Sequence, residues 1–238
     1  MFVSSLCFRP QIVAAAVLFL LTACSTTRPV VAPGVTEPVA RGSTVLLLRP
    51  DIECLEVAVG GTQARPEWTA KAEASVTRAL ADFMREHETR LVVYDGSTFP
   101  PDRRAGQEAA IAALTAVRLP ASGPAPTAPV QVELPAPELL APLREDFKAD
   151  YALSVFLRES FQSAGHVAMR YSLGLLLGPI WAPMPGTGQY GYATLVDLRT
   201  GEVAWSNTLS TVGEVPTDIR DPEKARDTVD ELLEACPV

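Results

Sequence analysis

The sequence predicts an α/β fold of the α+β type, which is a mixed sheet with helices packed on it. Segments with the apolar pattern of strands alternate with segments of helical periodicity, in the order strands, helix, strand, helix, strand, hairpin, helix. Hydrophobic residues make up 47% of the 238 residues and charged residues only 20%, which supplies a buried core and excludes wholesale disorder. We expect a single globular domain over residues 44–238.

The first half of this domain is predicted to contain three strands and a long helix. Thr44–Leu48 is a continuous apolar run that suits a buried strand, and Pro50 ends or bends it. Ile52–Val59 alternates between apolar and polar residues, as a second strand does. The helix is expected at about Pro66–His87, and the third strand at Arg90–Tyr94.

The middle of the domain is predicted to combine two helices, a Pro-rich connection and a strand. The helices are expected at Gln107–Arg118 and about Glu138–Phe147. Seven prolines between residues 119 and 142 predict a looped or partly extended segment, because proline removes backbone donors and breaks helices. Asp150–Ser160 alternates as a strand.

The end of the chain predicts a hairpin followed by a capped helix. Strands are expected at Gln189–Asp197 and Glu202–Ser210, with Gly201 supplying the positive φ of the tight turn between them. Asp221 is a candidate N-cap, and Pro222 suits the first helical position. The apolar stripe of this helix comprises Ala225, Val229, Leu232, Leu233 and Cys236.

Residues 1–23 are typical of a secretory signal peptide. Arg9 precedes the apolar run Ile12–Leu21, which has the length of a signal h-region and is too short to span a bilayer. The run leads into Leu21-Thr22-Ala23-Cys24, which resembles the lipobox of bacterial lipoproteins. The resemblance implies that the signal is cleaved before Cys24 and that this cysteine is lipidated, with palmitate-type acyl chains holding the protein on a membrane. An ordinary signal peptide with a chance cysteine is the alternative.

The residues after Cys24 bear on where the protein is held. Residues 24–43 are rich in Pro, Ser, Thr and Gly, and we expect them to be the lipidated cysteine followed by a flexible tether. In bacterial lipoproteins an Asp at the second mature position resembles an inner-membrane retention signal, whereas this chain has Ser25. The resemblance therefore implies the periplasmic face of the outer membrane, with export to the cell surface left open.

Charge and cysteine content exclude several classes of function. A net charge of −8 without a Lys/Arg cluster argues against nucleic-acid binding, because phosphate contacts need concentrated positive charge. Two His and four Cys without metal-ligand spacing predict neither a metal site nor a cofactor. Cys7 lies in the signal and Cys24 is assigned to lipid, so Cys54 and Cys236 are candidates for a disulfide in an oxidising compartment. Two separate buried thiols are the alternative.

No catalytic constellation is predicted. The chain has no G-x-S-x-G elbow, and the acidic pairs resemble strand-edge or helix-surface charge. His87 is expected to be solvated, whereas His166 follows Ser163 closely enough to be the one plausible base. Tyr190 and Tyr192 share a strand face and suit either a binding surface or core packing.

The segment Val167–Pro185 is a candidate contact surface, because it is long and apolar and carries Arg170 as its only charge. The candidate residues within it are Gly174, Leu176, Gly178 and Trp181. Gly174 and Gly178 would share a helical face and allow close backbone approach. A partner subunit or the membrane surface beside the lipid would be the occupant, and a buried loop covering the sheet is the alternative.

The hairpin from Tyr192 to Trp205, read with the early strand–helix–strand unit, looks like envelope lipoproteins. Their soluble domain resembles the N-terminal domain of TolB and the periplasmic domain of the curli-secretion lipoprotein CsgG, in which a strand ending in D-x-x-T-G-x-V-x-W closes the sheet. The resemblance implies a fold and a compartment. It does not imply a pore, because the chain has no pair of long alternating hairpins for a membrane barrel.

Together these features predict a lipid-anchored cell-envelope lipoprotein that is not an enzyme and has a binding, assembly or trafficking role. Its expected partners are the membrane, through the N-terminal lipid, and an unidentified envelope protein, with homo-oligomerisation possible. A periplasmic hydrolase of unrecognised type and a subunit of an oligomeric secretion complex are the alternatives.

Overall fold

A nine-stranded mixed sheet forms the centre of the computed structural model, which describes residues 24–27, 29–31, 39, 42–116, 135–177, 188–212 and 217–238. The strands are β1 Cys24–Thr27, β2 Val30–Val31, β3 Thr44–Leu47, β4 Asp51–Ala58, β5 Gly61–Ala64, β6 Arg90–Val93, β7 Tyr151–Gln162, β8 Gly188–Asp197 and β9 Val203–Val212. The helices are α1 Pro66–Glu86, α2 Pro101–Ala116, α3 Pro137–Phe147, α4 Ala164–Leu177 and α5 Pro222–Leu232, and a 3-10 turn lies at Gly96–Thr98. The predicted α+β fold is confirmed.

The long strand β7 organises the sheet. It pairs antiparallel with β8 on one side, and in parallel with both β3 and β4 on the other. The register aligns Val45 with Tyr151 but Asp51 with Phe156, so β3 and β4 contain one extra residue between these two points. The extra residue lies in the connection at residues 48–50, where the missing N–H of Pro50 cannot join the ladder.

One face of the sheet is covered by α1 and α5. The buried positions of α1 recur at helical spacing and are Ala72, Val76, Ala79, Leu80 and Met84. They share a core cluster with residues of every long strand, including Val155, Leu157, Leu195 and Trp205. The Asp221 side chain caps α5 as predicted, accepting hydrogen bonds from the backbone N–H groups of Glu223 at 2.9 Å and Lys224 at 3.2 Å.

The other face is covered by α2 and α3 over the end of the sheet where β3 begins. Their second core cluster includes Leu46, Leu48, Ala110, Leu140, Leu143, Ala152 and Val196. Further along β7 and β8, on this same face, Phe156 and Tyr192 are only half-buried. The two faces therefore differ in how far the described helices cover them.

The structure contains three short strands that the sequence pattern did not predict. β5 pairs antiparallel with β4 through a turn at Val59–Gly60. β1 and β2 lie in the range 24–43 that was expected to be a tether, and both pair antiparallel with β9. Residues before position 44 therefore add edge strands to the sheet of the domain that was expected at residues 44–238.

The predicted hairpin between β8 and β9 is confirmed. Gly201 has φ +76°, and its N–H donates to the carbonyl of Asp197 at 2.8 Å. The Asp197 carboxylate accepts a second bond from the N–H of Arg199 at 2.7 Å. A Cβ on Gly201 would lie 2.5 Å from the carbonyl oxygen of Pro135, so the position requires glycine for two reasons.

Candidate functional site

Four strands reach the same end of the sheet. Ser160 of β7 pairs with Gly188 of β8, Gly188 pairs with Val212 of β9, and Val212 pairs with Cys24 of β1. We call this end, defined by Ser160, Gly188, Val212 and Cys24, the Cys24 end. It is the end of the sheet opposite α2 and α3.

Helix α4 also lies at the Cys24 end, because it begins directly after β7. The N–H of Ser163 donates to the carbonyl of Val57 at 2.9 Å, which joins the start of α4 to the end of β4. The Ser163 hydroxyl accepts a hydrogen bond from the backbone N–H of His166 at 3.1 Å and so caps the helix. The Ser–His proximity noted in the sequence is therefore a helix cap.

Exposed apolar side chains accompany this helix. Met169 is 46% exposed and Tyr171 is 67% exposed, and in the neighbouring β4–β5 turn Val59 is 59% exposed. Gly174 and Leu176 lie in the last part of α4, whereas Gly178 and Trp181 lie outside the described residues. The described part of the predicted contact surface is thus a helix with apolar side chains in solvent.

The described residues contain no helix with the length and apolar character to cross a membrane. Helix α4 has 14 residues, and at 1.5 Å per residue it is about 21 Å long.

A second candidate surface is an aromatic–arginine patch on the half-covered face of the sheet, formed by Phe156, Arg158, Tyr190 and Tyr192. The rings of Phe156 and Tyr192 stack with centroids 4.8 Å apart and planes 10° apart. The Arg158 guanidinium lies 4.1 Å from the Phe156 ring centroid, which is cation–π geometry. Directly paired strand positions explain this stack, since Phe156 is opposite Tyr192 and Arg158 is opposite Tyr190.

Arg158 also crosses to the neighbouring strand β4. Its Nη2 lies 2.8 Å from Asp51 Oδ1, and its Nε lies 3.1 Å from Glu53 Oε2. The guanidinium is therefore held in place by two carboxylates while one of its faces covers a ring. Tyr and Arg are residue types enriched among the hot spots of protein interfaces, and Phe is enriched in interface cores.

A cavity of about 420 Å³ lies between the first turns of α1 and the start of α5. Its lining comprises Trp68, Lys71, Ser75, Asp218, Arg220, Asp221 and Pro222. The Arg220 guanidinium lies 4.5 Å from the Trp68 ring centroid and 4.1 Å from that of Phe161. Nitrogens Nε and Nη2 of Arg220 donate to the two carboxylate oxygens of Asp218 at 2.7 and 2.8 Å. Because Phe161 belongs to β7, the contact of Arg220 with its ring holds the segment before α5 against the sheet.

Glu159 is buried beneath this segment at 2% exposure. Its carboxylate accepts hydrogen bonds from the hydroxyl of Thr217 and from the N–H of Ile219, the latter at 2.9 Å. Burial raises the pKa of Glu159 to about 7, against the opposing effect of these two hydrogen bonds. The hydrogen bond from Arg220 lowers the pKa of the neighbouring Asp218.

Sequence reasoning missed the Glu159–Arg220 network. Strand alternation alone places Glu159 on the same face as Val155 and Leu157, which is the buried face. A carboxylate at a predicted core position was therefore the available signal. Thr217 and Arg220, by contrast, come from a distant segment and carry no pattern that links them to β7.

The predicted disulfide is not formed, since Cys54 and Cys236 are both free thiols. Cys54 lies in β4, whereas Cys236 follows α5, whose last turn is held to β9 by a bond from Asn207 Nδ2 to the carbonyl of Leu232 at 3.1 Å. The structure thus has the two separate thiols of the alternative, and burial raises the pKa of each to about 12.

Both histidines lie among the described residues. His87 is exposed, as predicted, and stacks on Phe83 with ring centroids 4.2 Å apart. The backbone N–H of His166 donates to the Ser163 hydroxyl in the α4 cap. Within the described ranges, no group of three His, Cys, Asp or Glu residues could hold a metal ion.

No protein-family model matches the chain, and no curated protein sequence matches it. Among solved structures, it is similar to the PelC dodecamer from Paraburkholderia phytofirmans, at 15% identity and a TM-score of 0.41, covering 90% of this chain and 98% of that one. It is also similar to the LpoB C-terminal domain from Salmonella enterica, at 16% identity and a TM-score of 0.28, covering 74% and 86% of the two chains. A neuraminyllactose-binding haemagglutinin homologue from Helicobacter pylori matches at 12% identity and a TM-score of 0.36, covering 86% and 90%. These are distant likenesses, and no functional property is transferred from them.

Proposed function

We propose that the chain is a lipid-anchored bacterial envelope lipoprotein with a non-enzymatic binding role. The observation that carries the proposal is the sequence Leu21-Thr22-Ala23-Cys24, which resembles a lipobox and directly follows an apolar run typical of a signal h-region. In the structure Cys24 is the first residue of β1, paired with Val212 at the end of β9. Acyl chains on this cysteine would therefore be attached next to a defined end of the sheet.

The acidic composition supports lipid as the means of attachment. The chain carries 28 acidic against 20 basic residues, so its net charge gives no attraction to anionic head groups. Each buried methylene contributes about 0.8 kcal/mol, and two or three acyl chains hold a protein stably on a bilayer. The anchoring therefore depends on Cys24.

The test replaces Cys24 with Ser and follows the protein in membrane fractions of the expressing cell. Cys24→Ser should abolish incorporation of labelled palmitate and release the protein from membranes, or leave its signal uncleaved. Cys7→Ser is the matched control, because Cys7 lies within the predicted signal but outside the lipobox. Membrane recovery and labelling of Cys24→Ser equal to those of Cys7→Ser would overturn the proposal.

The aromatic–arginine patch is the surface we propose for the binding role. Thr208 of β9 is half-buried and pairs directly with Tyr192, so a photo-crosslinking amino acid there would lie beside the patch without removing its rings. The matched control position is Glu73, which is exposed on α1. We expect a crosslinked envelope protein, or a crosslinked second copy, from position 208 only. The product should be lost when Phe156 is replaced by Ala, and persistence in that variant would exclude the patch.

A further inference from the structure

We propose that the Cys24 end of the sheet lies on the bilayer, with Met169 and Tyr171 of α4 and Val59 of the β4–β5 turn in contact with lipid. This inference rests on the proposed lipidation of Cys24 and adds an orientation to it. The same surface was a candidate for contact with a partner subunit, and the observations favour lipid.

The first observation is where the exposed apolar side chains lie. Among the described residues six large hydrophobic side chains are exposed, namely Val30, Val59, Val93, Leu139, Met169 and Tyr171. Met169 and Tyr171 are on α4, which starts where β7 ends, and Val59 follows the end of β4 beside it. Half of the set therefore gathers at the end of the sheet where the chain would be attached to lipid.

The second observation is the charge of the same segments. Residues 57–64 contain no formally charged side chain, and residues 162–177 contain only Arg170, in a chain of net charge −8. This part of the surface therefore does not share the repulsion between the acidic protein and anionic head groups. Tyr, whose ring is apolar and whose hydroxyl is polar, is the residue type enriched at the boundary between lipid and water.

The third observation is the length of α4. At about 21 Å it is shorter than the hydrocarbon thickness of about 30 Å, so it would lie along the interface. A short apolar helix binds lipid weakly by itself. Tethering it beside acyl chains raises its effective concentration at the bilayer, which makes a weak contact persistent.

The experiment measures the environment of residue 171 in the complete lipidated protein. Tyr171→Cys would be labelled with a polarity-sensitive fluorophore and reconstituted into vesicles of phosphatidylethanolamine and phosphatidylglycerol with brominated acyl chains. The native thiols of Cys54 and Cys236 are a small background, because burial raises the pKa of each to about 12. The unsubstituted protein, labelled in parallel, measures that background.

The matched control is Val93→Cys. The Val93 side chain is 48% exposed and lies at the other end of the sheet. Val93 pairs with Leu47, and Leu47 pairs with Leu153 of β7. Leu153 is nine residues before the end of β7, so Val93 lies about 30 Å along the strands from the Cys24 end. We expect blue-shifted emission and quenching by brominated lipid at position 171, with neither effect at position 93. Met169→Glu in the labelled protein should reduce the quenching at position 171.

Each other outcome overturns the inference in a recognisable way. Protein that sediments with vesicles but has unquenched emission at position 171 rejects the membrane contact and leaves lipid anchoring intact. A blue shift that depends on protein concentration, without quenching, shows that a second copy covers α4. Protein that does not sediment with vesicles rejects both the orientation and the anchor.

Discussion

The carboxylate of Glu159 lies 2.9 Å from the backbone nitrogen of Ile219, so a buried acid on the central strand β7 holds the segment that leads into the last helix. The hydroxyl of Thr217 donates to the same carboxylate. Two donors satisfy the ionised form, yet burial still raises the pKa of Glu159 to about 7. The free-energy cost of burying the charged carboxylate is therefore larger than the stabilisation that the two hydrogen bonds give it.

The first prediction concerns the pH dependence of stability. The pKa of Glu159 is about 7 in the folded protein against an ordinary value of 4.5, so between these values the folded state binds more protons than the unfolded state. The free energy of unfolding should therefore fall by about 1–3 kcal/mol as the pH rises from about 4.5 to 7. Urea unfolding at a series of pH values measures this change.

Glu159→Gln should flatten that dependence, because the amide stays neutral and can still accept from the N–H of Ile219. Glu73→Gln, on the exposed side of α1, should leave the slope unchanged. An unchanged slope in Glu159→Gln would show that another group carries the pH dependence.

The second prediction concerns the β8–β9 turn. Gly201→Ala should lower the free energy of unfolding by more than about 1 kcal/mol, because alanine resists φ +76° and its Cβ would lie 2.5 Å from the carbonyl oxygen of Pro135. Gly60→Ala is the control, since a Cβ there meets nothing within 4 Å. Equal midpoints for the two variants in chemical denaturation would contradict this account of the turn.

The third prediction concerns the thiols. Unreduced, denatured protein should titrate two free thiols from Cys54 and Cys236, because the structure leaves both cysteines unbonded. In the native protein both should react slowly with a thiol reagent near neutral pH, since burial raises each pKa to about 12 and thiolate is the reactive form. A mass two hydrogens below that of the reduced chain would restore the disulfide that the sequence suggested.

The fourth prediction concerns the membrane to which the protein is delivered. Ser25→Asp should move the lipidated protein from outer-membrane to inner-membrane fractions, because Asp after the lipidated cysteine resembles a retention signal. Ser25→Thr should not. Separation of the two membranes on a density gradient measures the distribution, and an inner-membrane position for the unaltered protein would reject the outer-membrane location that the resemblance to lipoproteins implies.

The elements with a periodic apolar pattern were predictable from the sequence. Helix α1, strand β7 and the β8–β9 hairpin lie within a few residues of their predicted positions, because burial on one face imposes a spacing that can be read directly. The Asp221 cap was equally predictable, since capping depends only on neighbours in sequence.

The short edge strands and the surface patch could not be predicted in the same way. β5 reads GTQA and is exposed throughout, so it has no apolar alternation to detect. The stack of Phe156 on Tyr192 depends on the register between β7 and β8, which is a long-range property.

The pairing of β1 with β9 also determines how the domain would resist force. The chain enters the sheet at Cys24 and runs antiparallel to β9, from opposite Val212 to opposite Leu209 and onward through β2 to Trp205. A membrane pulling on acyl chains at Cys24 would load β1 along its own axis. Hydrogen bonds loaded in this direction share the tension and must shear together, whereas a strand pulled sideways opens one bond at a time. The edge strand would thus act as a mechanical clamp between the lipid and the folded domain.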